Sequence, residues 1–260
     1  MTPVRLILPL LLALLSRSLG PAGRTLVAVF AHPDDELVVG PLLAAEARQG
    51  VTVYLVIVTA GEHGNAHTQV PAGPELARVR TDEARCSARA LGIEPPIVLG
   101  YGDGELGHFE RPAPAYLARL ATELGQVIAR LKPDAIITFG PEGLDGHPDH
   151  RLVGAVVSQL VQAGVPGIPA ALFYPGFPAD QLSGDLGSGA PWLPTDTAFM
   201  PVRVPYLPVD VAATRAAFGC HKTQVSPEEI DADIKWYEDA FRGRVYLRPW
   251  FGRTENLFDH

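Results

Sequence analysis

An apolar run turns abruptly acidic at Thr25-Leu26-Val27-Ala28-Val29-Phe30-Ala31-His32-Pro33-Asp34-Asp35-Glu36. Residues 26–30 carry no polar side chain, and two of the five are valines. Such a run reads as a strand covered on both faces, the kind found in parallel sheets flanked by helices. It ends in a turn that places one imidazole and three carboxylates within five residues, 32–36.

Working outward, the same alternation repeats. A helix is expected over 37–48, closed near Gly50, then a β-branched strand over 51–58 and a Gly- and Pro-bearing loop over 59–74. A helix over 75–91 stops at Gly92. A strand over 96–99, a polar loop over 100–114, a helix over 115–131 ended by Lys132-Pro133 and a strand over 135–139 come next. Then follow a loop over 140–146, a helix over 148–163 and a strand over 171–174. This order predicts an α/β fold: a Rossmann-like, open, mainly parallel sheet with helices on both faces. Residues 165–207 are dense in Pro and Gly and read as an irregular excursion, either a wall of the pocket or a surface loop. A small C-terminal α/β extension is expected from helices over 211–218 and 227–241, the latter with Ser226 as N-cap, and a strand over 244–247.

The 260-residue chain is 47% hydrophobic and 19% charged, with a net charge of −8. That composition is globular, and with no basic excess it argues against nucleic acid as a partner. Arg5 precedes an apolar run over 6–15, followed by small and polar residues to Gly23. This start resembles a secretory signal peptide and is shorter than the roughly 20 residues of a spanning helix. Residues 1–23 are therefore expected to be a signal peptide or an N-terminal anchor, the remaining alternative being a wrongly chosen start codon. Residues 24–260 are expected to form one domain, secreted, periplasmic or held at the membrane by the N-terminal segment. Cys86 and Cys220 belong to no Cys-x-x-Cys pair. Two small buried thiols are favoured over a single disulfide.

Two constellations carry chemistry. In His32-Pro33-Asp34-Asp35-Glu36, adjacent carboxylates repel one another unless a cation offsets them; alone, the stretch reads almost as well as an acidic helix cap. In His147-Pro148-Asp149-His150, the two His sit at i and i+3 across the start of a helix. Both follow predicted strands. Two His and one carboxylate suit zinc and leave a position open for water.

Together these residues resemble the zinc-dependent N-acetylglucosaminyl deacetylases, the PIG-L or LmbE-like family. Supporting matches are Thr59-Ala60-Gly61-Glu62-His63-Gly64, Arg80-Thr81-Asp82-Glu83 with Leu91-Gly92, Asp103-Gly104, and His221-Lys222-Thr223-Gln224. The resemblance runs from about Thr25 to the C-terminus. It implies that His32, Asp35 and His150 bind Zn2+ or another divalent transition metal. It implies that Asp34 is the general base and that His147 assists as a cation. Arg80 and Asp103 would hold substrate hydroxyls, Glu36 would orient the loop, and His221 is evenly balanced between a supporting and a bland role. Without the resemblance, Arg80 and Glu83 read equally as a surface pair, and His63, His67, His108 and His260 as solvated side chains. Asp145-Gly146 stands where some relatives carry a Tyr. The implied activity is hydrolysis of the N-acetyl group of an acetylamino sugar or its conjugate. The alternatives are a metal-assisted esterase or phosphoesterase, or a non-catalytic secreted carbohydrate-binding protein. The expected partner is a small-molecule or glycoconjugate substrate, with transient membrane contact through the N-terminal segment.

Overall fold

The first strand, β1 (Thr25–Phe30), lies inside the sheet of the computed structural model, which describes residues 23–106, 114–181 and 194–251. Val27, Ala28, Val29 and Phe30 have no exposed surface, as a strand covered on both faces requires. The other strands are β2 (Thr52–Thr59), β3 (Ile97–Tyr101), β4 (Ala135–Ile137), β5 (Leu172–Pro175), β6 (Val202–Pro205) and β7 (Arg244–Pro249). They form one sheet in the order β3-β2-β1-β4-β5-β7-β6. β1 to β5 pair in parallel. β7 runs antiparallel to β5 and to β6. The mainly parallel α/β sheet expected from the sequence is what is observed.

The helices are α1 (Gly40–Arg48), α2 (Pro74–Leu91), α3 (Pro114–Leu131), α4 (Pro148–Gln162), α5 (Pro208–Phe218) and α6 (Pro227–Phe241). From β1 the chain steps outward to β2 and β3, then crosses back to β4 on the other side of β1. Right-handed crossovers therefore carry α1 and α2 to one face and α3 and α4 to the other. The packing agrees: α1, α2 and α5 touch one another, and α3 packs on α4. The strand order thus reverses between β1 and β4, directly paired through Leu26–Ala135, Val27–Ile136 and Ala28–Ile137. Open α/β sheets form ligand crevices beyond the carboxyl ends of strands at such a point.

Three features differ from expectation. The helix predicted over 37–48 is broken: Asp35–Val39 is a 3-10 turn and the α-helix starts at Gly40. Pro41 has no N–H to give to the preceding turn, so the helix has to restart there. Gly40 also lies against Thr214 of α5, where a Cβ would collide with the Thr214 side chain. Second, the excursion over 165–207 contains β6 as well as the expected β5. The four residues Val-Arg-Val-Pro are too short to stand out in sequence, and Pro205 is tolerated because β6 is an edge strand. Third, Cys86 and Cys220 form a disulfide, with Cα atoms 5.6 Å apart, rather than two thiols. Their separation of 134 residues left no spacing cue. The C-terminal extension is built into the main sheet through β7. Among the described residues no helix is long and apolar enough to cross a membrane; the N-terminal segment of 1–22 lies outside them.

Candidate active site

The loops after β1 and β4 meet at the switch point. Asp35 folds the first loop back on itself: its Oδ2 accepts the N–H groups of Ala31 and His32 at 3.0 and 2.7 Å. Pro148 opens α4 in the second loop, with His147 as N-cap, so His150 projects from the first turn toward β1. Phe139 stacks on the His150 ring at 4.1 Å and holds its plane.

Three donors converge there. His150 Nε2 lies 3.1 Å from Asp35 Oδ1 and 3.2 Å from His32 Nδ1, and His32 Nδ1 lies 3.6 Å from Asp35 Oδ2. A tetrahedral ion with ligand bonds of about 2.0–2.1 Å keeps its ligands roughly 3.3 Å apart. The donor set and its spacing therefore fit a divalent metal. The remaining ring nitrogens are tied down, as metal-binding imidazoles require. His150 Nδ1 meets Asp145 Oδ1 at 2.9 Å and Gly143 O at 3.1 Å. His32 Nε2 meets Asp103 Oδ1 at 3.1 Å and Asp149 Oδ2 at 3.3 Å. His32, His147 and His150 also have metal-like spacing, as do His32, Asp103 and Asp149. Asp103 Oδ2 already accepts His63 N–H and Asp149 Oδ2 accepts Gly104 N–H, so these carboxylates read better as acceptors for the His32 ring.

Electrostatics follow from this packing. Burial works against charge on His32 and His150, but the facing carboxylates raise them to about 10 and about 11 in the absence of an ion. Burial would raise Asp35 as well, yet His150 and His32 hold it well below the usual carboxylate range. Asp103, similarly opposed by burial, is lowered to about 2 by the His32 ring and the His63 N–H.

Asp34 behaves differently from its neighbour. Burial lifts its pKa to about 6, against the pull of Arg80 and with a further push from Asp35. Its backbone is in the left-handed region at φ 104°. Arg80 of α2 is buried beneath it and donates to Asp34 Oδ2 at 3.1 Å, Pro33 O at 2.6 Å and Gly61 O at 2.9 Å. Gly61 and Gly64 leave room for this guanidinium, since a Cβ at either would strike it. Glu36, with no exposed surface, accepts the Asp34 N–H through Oε2 at 3.0 Å. Its Oε1 accepts from Ser87 at 2.5 Å and lies 2.7 Å from His221 Nε2. Burial disfavours both charges in that pair, but each partner stabilises the other: Glu36 is lowered and His221 raised.

His147 stands edge-on to His32, ring centroids 4.8 Å apart. Its Nδ1 accepts the Asp149 N–H at 3.2 Å. Burial and then the charges of His32 and His150 push its pKa down. In the absence of an ion, these effects work against an imidazolium at His147.

These groups line a cavity of about 680 Å³. Its apolar wall is formed chiefly by Phe177, Phe218, Trp236 and Tyr237, with Asp233 among them. Trp236 is 41% exposed and Phe177 meets it edge-on at 5.1 Å.

All seven site residues named from the sequence reach this cavity: His32, Asp34, Asp35, Arg80, Asp103, His147 and His150. Arg80 and Glu83 are not a surface pair. Both are buried, and Glu83 instead takes Thr223 N–H and Oγ–H at 2.9 and 2.6 Å. His63, read as solvated, also lines the cavity, with its Nδ1 2.8 Å from Asp103 O. His67 meets Glu229 at the surface, and His108 and His260 lie outside the described residues. Sequence reading missed Asp145, Asp149 and the pocket wall. The carboxylates sat inside or beside the quoted motif, but only the fold shows which ring each one faces.

Fold and cluster together define an α/β protein with a His/Asp site at the switch point of its sheet. The family model described as PIG-L, GlcNAc-PI de-N-acetylase, matches residues 27–161, just over half of the 260 residues. A 1D-myo-inositol 2-acetamido-2-deoxy-alpha-D-glucopyranoside deacetylase of Rhodococcus opacus is 31% identical over 247 residues, covering 78% of this chain and 82% of its own. A deacetylase 2 of the same description from Catenulispora acidiphila is 34% identical over 160 residues, covering 55% of this chain and 53% of its own. The chain spans about half the length of the first curated relatives it matches. The solved N,N'-diacetylchitobiose deacetylase from Pyrococcus horikoshii has a TM-score of 0.63 at 19% identity, covering 90% of this chain and 87% of its own. At that identity the likeness is one of fold. The chain belongs to the PIG-L, GlcNAc-PI de-N-acetylase, family.

Proposed function

We propose that the chain is a metal-dependent N-deacetylase that hydrolyses the acetamide of an N-acetylglucosamine-type sugar or its conjugate. The observation that carries this is the convergence of His32, Asp35 and His150 within 3.6 Å beside a separately held carboxylate, Asp34. Relatives named as deacetylases of a 2-acetamido-2-deoxy sugar support the substrate class.

A divalent ion held by those three residues would supply Lewis acidity, polarising the amide carbonyl and lowering the pKa of the attacking water. Zinc is the ion we propose from the donor types, and other divalent transition metals share the set. Asp34 takes the water's proton, for which a pKa lifted to about 6 is well placed. Arg80 aims that carboxylate through Oδ2. His147 donates a hydrogen bond to the developing oxyanion, and the proton that Asp34 has taken passes to the departing amine. Asp103 orients His32 through Oδ1 and, in this reading, also takes a sugar hydroxyl. The apolar wall receives the group attached to the sugar.

The disulfide favours an oxidising compartment, and we propose an extracytoplasmic location. The function is tested by acetate release from free and conjugated N-acetylglucosamine, with and without a chelator. Release abolished by chelation and restored by Zn2+ is expected. Release indifferent to chelation would refute the metal mechanism, and phosphate or ester hydrolysis without acetate release from amides would replace the reading.

A further inference from the structure

Glu36 divides its carboxylate between two parts of the protein. Oε2 holds the Asp34 N–H, and Oε1 is shared by Ser87 and His221. Ser87 is on α2, whereas His221 lies just beyond the end of α5. Each of these donors is the immediate chain neighbour of a half-cystine, Cys86 or Cys220, and the disulfide between those two closes a separation of 134 residues. One turn earlier on α2, Glu83 takes two hydrogen bonds from Thr223. The segment 220–224 is thus docked on α2 covalently at one point and by paired hydrogen bonds at another. Both donors to Glu36 ride on that junction.

What the junction holds is costly. A non-glycine residue in the left-handed region persists only where its surroundings over-determine it, and Asp34 sits at φ 104°. A buried imidazole–carboxylate pair also favours the fold only when its geometry is well kept; His221 and Glu36 have no exposed surface. We propose that Glu36 is the positioning residue that sets the Asp34 backbone, and that the Cys86–Cys220 disulfide is the covalent brace that keeps Ser87 and His221 on Glu36. This rests on the reading of Asp34 as the base. The brace touches none of the residues assigned to the ion, so it acts on turnover and not on ion binding.

The test is a Cys86→Ser/Cys220→Ser double variant of the full chain, with Ser87→Ala, His221→Ala and His221→Gln beside it. Three readouts are taken: acetate-release kinetics, bound Zn2+ per chain, and amide hydrogen exchange over 31–39. The double variant and Ser87→Ala are expected to lose roughly ten- to a hundred-fold in kcat, with KM within about two-fold and Zn2+ content unchanged. Exchange at the Asp34 amide should rise in both. His221→Gln, whose amide can still donate to Glu36, should recover activity that His221→Ala loses. Wild-type kcat and unchanged exchange in the double variant would overturn the proposal. So would a parallel fall in kcat and Zn2+ content, or a Ser87→Ala protein that melts below the assay temperature, because each marks general loosening. If the unaltered protein releases no acetate, the functional reading fails by itself, and the exchange data still decide whether the brace holds Asp34.

Discussion

Asp34 and Asp35 are consecutive, yet they face different partners: Asp35 is bound by the N–H groups of Ala31 and His32 and meets His150, whereas Asp34 is gripped by Arg80. The left-handed backbone at Asp34 is what turns the two side chains apart. One carboxylate is pulled well below its usual range and the other is lifted to about 6. Environments that split two neighbouring acids in this way suit the proposed division into ligand and base.

Asp34→Asn should retain the ion and lose at least about a hundred-fold in kcat, the usual contribution of a positioned general base. Single-turnover acetate release together with metal analysis checks it. Turnover near that of the unaltered protein would remove Asp34 from the mechanism.

Ion loading should depend on pH. Without an ion, His32 and His150 stay protonated through neutrality, with values raised to about 10 and 11. Bound metal needs the deprotonated rings, so loading releases protons and apparent affinity rises with pH. The sign is fixed by the free state: falling pH favours the protonated rings and weakens binding. Calorimetric Zn2+ titrations in buffers of different ionisation enthalpy measure the release directly. Affinity unchanged between about pH 6 and 8 would contradict the ligand assignment.

Trp236→Ala should affect conjugates more than the free sugar. Trp236 is the exposed member of the aromatic wall, and removal of such a face costs about 1 kcal/mol of contact. A several-fold rise in KM for a conjugated N-acetylglucosamine, with little change for the monosaccharide, is the expected kinetic pattern. Equal effects on both substrates would place the attached group elsewhere.

Stability has its own test in Arg48 and Asp210. Arg48 Nε and Nη2 reach the two Asp210 oxygens at 2.8 and 2.9 Å, and Asp210 Oδ2 also accepts Leu207 N–H at the start of α5. Asp210 is only 2% exposed. Asp210→Ala removes the cap and the pair together and should cost about 2 kcal/mol, lowering the thermal midpoint by roughly 5 °C. A midpoint within about one degree of the unaltered protein would show that α1 and α5 are held by apolar packing alone.

Much of this architecture was legible in the chain because its cues are local. Apolar runs bounded by Gly and Pro marked β1, β2 and β4, and Gly92 marked the end of α2 at a left-handed C-cap. What escaped depends on distant partners. The sequence 202–205 becomes a strand only because β7 returns to pair with it. The two cysteines looked like thiols because nothing in the chain shows that α2 and the end of α5 meet. Asp149 was one letter among four until the fold set it against His32. That the His147 Nδ1 meets the Asp149 N–H is likewise set by the start of α4 and not by the motif.

The direct pairing of β1 with β4 has a consequence for redesign. The geometry of the three proposed ligands depends on two strands that touch, and on the short loops at their ends. The aromatic wall comes from α6, from the end of α5 and from Phe177 just after β5, elements that supply none of His32, Asp35 and His150. A library confined to 177, 233 and 236 can therefore explore new cargo while the proposed hydrolytic centre is inherited intact.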